Sequence, residues 1–308
     1  MFLDLPTNTI QTVTTPIAAT QKNQAFGYTN ALLDLVAELK QPILHFWTMQ
    51  PTVIMGLKDK RLPDLTAAIK AIQRHGYDYV LRNSGGLAVV SDAGILNISL
   101  FAPLTTPPMS VDAAYAQMTT LVDAAWPELA IQHYEITHSY CPGDYDLSVN
   151  GLKIAGIAQR RSPHALVTML YLSVNGDQLA RGQMIRDFYT AGLAGQENTW
   201  DFPDVDPATM TTTAALIGQN LMVADAQQRF ITAAEQAGLK VGRTLLAQAM
   251  ATPEFGAHLD HATAQMARRQ PQLNKEDSLW LTHNNDFPEK KFSGTRFTII
   301  FTSNIKWF

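Results

Sequence analysis

The dipeptide Asn150-Gly151 constrains this chain more than any other short feature. It stands between two β-compatible arms, DYDLSV before it and LKIAGIAQ after it, and favours a two-residue type I′ turn because both central residues need positive φ. Such a turn sets register as well as direction. Val149 then faces Leu152 and Ser148 faces Lys153, which carries a lysine into the middle of a strand among apolar neighbours. A chain with this hairpin holds antiparallel β-structure.

Other short runs read the same way: PTVIMG (51–56), DYVLR (78–82), LAVVS (87–91), ILNISLF (95–101) and LVTMLYLSV (166–174), punctuated by Gly and Pro. Helices alternate with them. In NALLDLVAELK (30–40), Leu32, Leu35, Val36 and Leu39 recur at helical spacing and form one apolar face. Ser110 is placed to cap a second helix whose apolar face is Val111, Ala114, Tyr115, Met118, Leu121, Val122 and Ala125, with Pro127 just past its end. A third runs from about Asp225 to Ala237, with Gly238 as the residue that ends it. Helices mixed with mostly hairpin-linked strands predict an α+β fold. After about residue 240 the pattern weakens, and the closing KKFSGTRFTIIFTSNIKWF is strand-like with no function assigned.

At 308 residues and 46% hydrophobic residues the chain can bury a sizeable core. A net charge of −4 and a pI near 6.0 leave no basic footprint for phosphate contacts, so no nucleic-acid partner is expected. The opening MFLDLPTNTIQTVTTPIAA lacks the basic and apolar regions of a secretory signal, and no stretch reaches the ~18 apolar residues of a spanning helix. A cytoplasmic location without membrane contact is expected. The one cysteine excludes an intrachain disulfide and a CxxC-type zinc site, and the scattered histidines form no HxxxH pair, so no metal is expected.

Three clusters can carry chemistry. In RNSGGLAVV (82–90) the paired Gly85 and Gly86 either make a tight turn or let backbone N–H groups approach a ligand closely. In HSYCPGDYD (138–146) the cysteine, Cys141, is a small buried hydrophobe or a nucleophile on a loop just before the hairpin. In GLKIAGIAQRR (151–161), Lys153 is an edge-strand guard or a positioned cation. A cation near Cys141 would stabilise its thiolate, the nucleophilic form.

RNSGGLAVV, then GILNISL (94–100), then DLSVNGLKIAGIAQRR (146–161) together resemble the lipoate-protein ligase, octanoyltransferase and biotin-ligase superfamily, with the motifs in the family's order over about residues 25–240. SYCPGDYDLS further resembles the branch of octanoyl-[glycine-cleavage H protein]:protein N-octanoyltransferases, the lipoate amidotransferases. The resemblance implies a mixed, largely antiparallel β-sheet flanked by helices, as in the class II biotin/lipoate ligase catalytic domain. It implies a catalytic domain over 25–240 and leaves 241–308 as a helical extension and tail of unknown role. Cys141 falls at the acyl-thioester nucleophile, and Lys153 at the lysine that lowers that cysteine's pKa and serves as acid and base. Arg82, Ser84, Gly85, Gly86 and Gly156 fall at the acyl-binding positions. The implied donor is octanoylated H protein, the implied acceptors are lipoyl domains of 2-oxoacid dehydrogenases, and no cofactor is implied because the acyl group arrives already bound.

An eight-carbon chain needs an apolar slot, for which Phe46, Trp47, Val53 and Ile54 are candidates, each with ordinary core packing as the competing role. Arg160 and Arg161 either meet acidic lipoyl domains or end a solvated strand. Many ligases of the superfamily carry a third glycine and a histidine around the glycine loop. Here Leu87 follows Gly86 and Ser91 precedes Asp92, which is closer to the amidotransferase branch. The alternatives are an octanoyl-[acyl carrier protein]:protein octanoyltransferase, an ATP-dependent lipoate-protein ligase, an inactive lipoyl-domain binder, and a Cys/His hydrolase with His138 as base.

Overall fold

The computed structural model describes residues 5–104 and 108–271; the strand-like closing segment lies outside them. The described chain begins with β1 (Thr9–Ile17), α1 (Gln24–Leu39), β2 (Ile43–Met49) and β3 (Thr52–Met55). Then come α2 (Leu65–Arg74), β4 (Asp78–Leu81), β5 (Val89–Ser91), β6 (Ile95–Pro103) and α3 (Val111–Ala125). β7 (Gln132–His133), β8 (Leu147–Val149), β9 (Leu152–Arg161), β10 (Ala165–Ser173) and α4 (Gln178–Leu193) follow. The last described elements are α5 (Thr213–Ile217), α6 (Val223–Gln236), β11 (Lys240–Gly242), α7 (Thr244–Met250) and α8 (Pro253–Arg269).

The strands form an eight-stranded sheet, β11-β1-β2-β6-β10-β9-β8-β7, and a three-stranded sheet, β4-β3-β5. In the large sheet β1 pairs in parallel with β2 and β11, and every other pairing is antiparallel. This is the α+β arrangement with a largely antiparallel sheet that the hairpin and the resemblance imply. The turn has the expected register, Val149 opposite Leu152 and Ser148 opposite Lys153, with positive φ at Asn150 and Gly151.

Side-chain alternation on the strands divides the interior into layers. Leu44 and Phe46 of β2, with Leu96, Ile98 and Leu100 of β6, face α3 and α6. Trp47 and Met49 point to the opposite side, where Phe26 of α1 and Ile54 of β3 meet them. On β3, Val53 and Met55 turn away from that contact into a core built with α2 and α4. The two sheets therefore confront each other through Trp47 and Ile54, and the functional cavity opens between them.

Two elements were obscure in the sequence for identifiable reasons. The first helix begins at Gln24, well before the apolar repeat, because its opening turn packs on α8: a Cβ at Gly27 would lie 2.4 Å from the Thr263 hydroxyl. A glycine inside a helix reads as a weakness yet permits this approach. Helix α4 has no clean apolar stripe because polar Gln178 and Arg181 are buried beside Met184, Ile185 and Phe188. Beyond residue 240, β11 extends the sheet alongside β1, and Leu246 and Phe255 join the core beneath α1.

Candidate active site

One cross-strand row forms the floor of the cavity: Gly156 of β9 opposes Tyr171 of β10, Tyr171 opposes Asn97 of β6, and Asn97 opposes Trp47 of β2. Met169 and Ala158 lie one step along the same face, and Ile54, Val89, Arg82 and Ser84 close the cavity from the small sheet and the loop after β4. The wall is apolar at Phe26, Trp47, Ile54 and Met169, and polar where Cys141, Lys153 and Asp146 enter.

Cys141 is half-buried and has φ 49°, in the left-handed region that non-glycine residues rarely adopt. Pro142 follows and makes helical conformations of either hand less favourable for the preceding residue. Lys153 holds the turn. Its ammonium donates to the carbonyl oxygens of Cys141 (2.8 Å) and Tyr140 (3.1 Å) and to the Ser139 hydroxyl (3.1 Å). It also pairs with Asp146 at 2.8 Å, both side chains being buried. The other Asp146 oxygen accepts from the backbone N–H groups of Ile136 and Gly143. Burial pushes the Asp146 carboxyl above its usual range, opposed by Lys153 and these N–H donors.

A β-bulge aims the lysine. Leu147 pairs with Ala155 and Ser148 with Lys153, leaving one extra residue on the return arm. As a result the lysine end lies over Gly156, where an added Cβ would be 3.7 Å from Nζ.

Arg82 reaches the sulfur. Its NH2 donates to Cys141 Sγ at 3.9 Å, and its Nε donates to the Gly85 carbonyl at 3.0 Å. The loop carrying it is held from behind: Leu57 N–H donates to Ser84 O and Lys58 N–H to Gly86 O. A Cβ on Gly56 would lie 2.0 Å from the Gly86 oxygen, so that contact requires glycine. Beneath sits Asp59, fully buried, accepting from Gly56 N–H (2.8 Å) and the Tyr189 hydroxyl (2.9 Å). Burial pushes Asp59 up to about 7, opposed by these donors and by the charges of Arg82 and Lys58.

Thus Arg82, Ser84, Cys141, Lys153 and Gly156 share one cavity, whereas the carbonyls of Gly85 and Gly86 serve to brace the loop. Of the four slot candidates, Trp47 and Ile54 line the cavity. Phe46 and Val53, each one position away, point into separate cores by strand alternation. The ring of His138 bonds to the Asp204 carbonyl on the surface and is not part of the cavity wall, which removes its support as a base for Cys141. Arg161 donates to the carbonyls of Met109 and Ser110 and so anchors the approach to α3. Sequence reasoning did not single out Asp146, Tyr140, Tyr171, Asn97 or Met169. Only Asp146 carried a signal, as an acid on the outgoing hairpin arm nearly opposite Lys153.

Among the described residues no cluster of three or more His, Cys, Asp or Glu side chains could hold a metal ion. No helix in them is long and apolar enough to cross a membrane.

Comparison with known proteins places the chain in a catalytic family. Residues 21–235 match the model of the lipoyl protein ligase A/B catalytic domain, and the chain belongs to that family. Curated relatives include an octanoyl-[GcvH]:protein N-octanoyltransferase of Oceanobacillus iheyensis, 40% identical over 65% of this chain and 72% of its own. Another of that name from Exiguobacterium sibiricum is 39% identical over 77% of this chain and 86% of its own. A lipoyl-[GcvH]:protein N-lipoyltransferase of Listeria monocytogenes is 38% identical over 64% and 72%. The enzyme class is therefore acyltransferase. Among solved structures, lipoate-protein ligase A bound with ATP superposes with TM-score 0.63 at 16% identity, over 83% of this chain and 94% of that one, which establishes the shared fold.

Proposed function

We propose that this chain transfers an octanoyl group from octanoylated glycine-cleavage H protein to the lysine of lipoyl domains of 2-oxoacid dehydrogenases, through a thioester on Cys141. The observation that carries the reading is a cysteine in a left-handed turn, with a guanidinium at its sulfur, entering an apolar cavity between two sheets. The names of the relatives support the donor.

In the first half-reaction Cys141 Sγ attacks the carbonyl carbon of the octanoyl-lysine amide, and the carbonyl electron pair moves to oxygen. When the C=O re-forms, the C–N bond breaks and the leaving nitrogen takes a proton from the Lys153 ammonium. In the second, the acceptor lysine amine attacks the thioester, its surplus proton returns to Lys153, and the thiolate departs. No acyl activation is required, because one amide replaces another. The apolar wall binds the tail at about 0.8 kcal/mol per buried CH₂, several kcal/mol for an octanoyl chain.

The test is mass spectrometry after incubation with octanoylated H protein. The expected result is a hydroxylamine-sensitive octanoyl adduct on Cys141, and no adduct or transfer with Cys141→Ser. Transfer that survives Cys141→Ser and requires ATP would instead identify a ligase, and charging only by octanoyl-acyl carrier protein would reassign the donor.

A further inference from the structure

We propose that the Tyr171 hydroxyl donates a hydrogen bond to the acyl carbonyl oxygen and stabilises the oxyanion formed when Cys141 attacks. This rests on the thioester reading above and adds a role for a residue at the cavity floor.

A count of protons leads to it. The hydroxyls of Tyr140 and Tyr171 are in short hydrogen-bonding contact. Tyr140 is only 1% exposed, and its oxygen also accepts from Gln178 Nε2 at 2.9 Å. The orientation of that amide is settled by its other end: Gln178 Oε1 accepts from the Ser173 hydroxyl (2.8 Å) and from Arg181 NH1 (3.2 Å). A flipped amide would turn its NH₂ against a guanidinium. Tyr140 therefore receives one proton from Gln178, and its own proton has the Tyr171 oxygen as acceptor. Were Tyr171 the donor, the Tyr140 proton would be buried with no partner among the described residues. Tyr171 accepts, and its own O–H is left free on a residue that lines the cavity.

The donor stands at the reacting end. Tyr171 opposes Gly156, whose added Cβ would lie 3.5 Å from Asp146 Oδ1 and 3.7 Å from Lys153 Nζ. Opposed residues on one sheet face begin about 5 Å apart, so the phenol rises beside the lysine end and the Cys141 turn. Cys141 and Tyr171 pack against the same cluster that includes Tyr140. In the resting site the three protons of the Lys153 ammonium face four oxygens, and Arg82 directs Nε to Gly85 and NH2 to the sulfur. Burial also holds the Tyr171 phenol well above its usual range, keeping it a protonated donor. A fixed donor in a water-poor site, aimed where charge develops, is what acyl transfer requires.

The experiment compares wild type, Tyr171→Phe, Tyr140→Phe and Cys141→Ser, with octanoylated H protein as donor. It follows the rate of Cys141 acylation and, separately, the rate of iodoacetamide alkylation. The two tyrosine variants delete the same inter-tyrosine bond, but only one deletes the free donor. Tyr171→Phe is expected to slow acylation about 100-fold while alkylation stays within about twofold. Tyr140→Phe is expected to slow acylation by no more than about fivefold. Equal losses in the two variants, or alkylation falling together with acylation in Tyr171→Phe, would overturn the proposal. If Tyr171→Phe does not fold, Tyr140→Phe decides: retention supports the donor and a loss of about 100-fold refutes it. Acyl transfer persisting in Cys141→Ser would remove the thioester reading itself, independently of either tyrosine.

Discussion

Lys153 grips Cys141 by its main chain: the ammonium lies 2.8 Å from the Cys141 carbonyl oxygen, while the sulfur takes its donor from Arg82 at 3.9 Å. The two cations thus act on different parts of one residue. Lys153 holds a backbone conformation that a cysteine before proline would not adopt unaided, and Arg82 places a guanidinium N–H at the sulfur.

The Lys153–Asp146 pair is buried on both sides, so removing one partner strands a charge. Asp146→Ala is expected to lower the unfolding free energy by about 3–5 kcal/mol, and Asp146→Leu combined with Lys153→Met to recover much of that loss. Denaturant titration checks this. Additive losses in the double variant would show that the two groups do not stabilise each other.

Alkylation of Cys141 tests both Arg82 and Lys153. Arg82→Leu is expected to slow iodoacetamide modification of Cys141 at neutral pH by about tenfold, because it removes the cation in contact with the sulfur. Lys153→Ala is expected to slow it as well, by loosening the turn. A rate in Lys153→Ala equal to wild type would remove the role assigned to the lysine.

Gly156 lines the cavity without a strained backbone, and an added Cβ would meet Asp146 and Lys153 at 3.5 Å, ordinary contact distance. Gly156→Ala should therefore leave the protein folded while filling space in the cavity. The expected outcome is a fall in kcat/KM of about tenfold or more with donors of every chain length. A loss confined to long acyl chains would place Gly156 at the tail end of the slot instead.

Asp59 links stability to pH. Its folded-state value is pushed up to about 7, from an ordinary value of 3.8. The native state then holds the extra proton between those values, so this group's contribution is complete below about pH 4 and is lost as pH rises through about 7. Asp59→Asn should remove a slope of up to about 1.4 kcal/mol per pH unit across that window. Chemical unfolding of both proteins at several pH values measures it, and parallel curves would refute it.

The family and the hairpin that carries Lys153 were legible in the sequence because their signals are local. Asn150-Gly151 sets a turn by φ alone, and the turn sets the register that opposes Ser148 to Lys153. Helix α3 begins where Ser110 caps it, the Ser110 hydroxyl accepting from Ala113 N–H at 3.1 Å. The rest depends on contacts between distant segments. Trp47 and Ile54 became cavity wall, and Phe46 and Val53 core, only when two sheets faced each other, since alternation says which residues share a face but not what that face meets. Asp146 became the partner of Lys153 through a bulge that shifts the register by one residue, and Tyr171 became an unengaged donor through Gln178 and Arg181 of helix α4. The chain by itself specified turns, caps and the order of the motifs, which are properties of neighbouring residues. Which proton points into the cavity, and which cation touches the sulfur, were decided by burial and by hydrogen bonds closed across the fold.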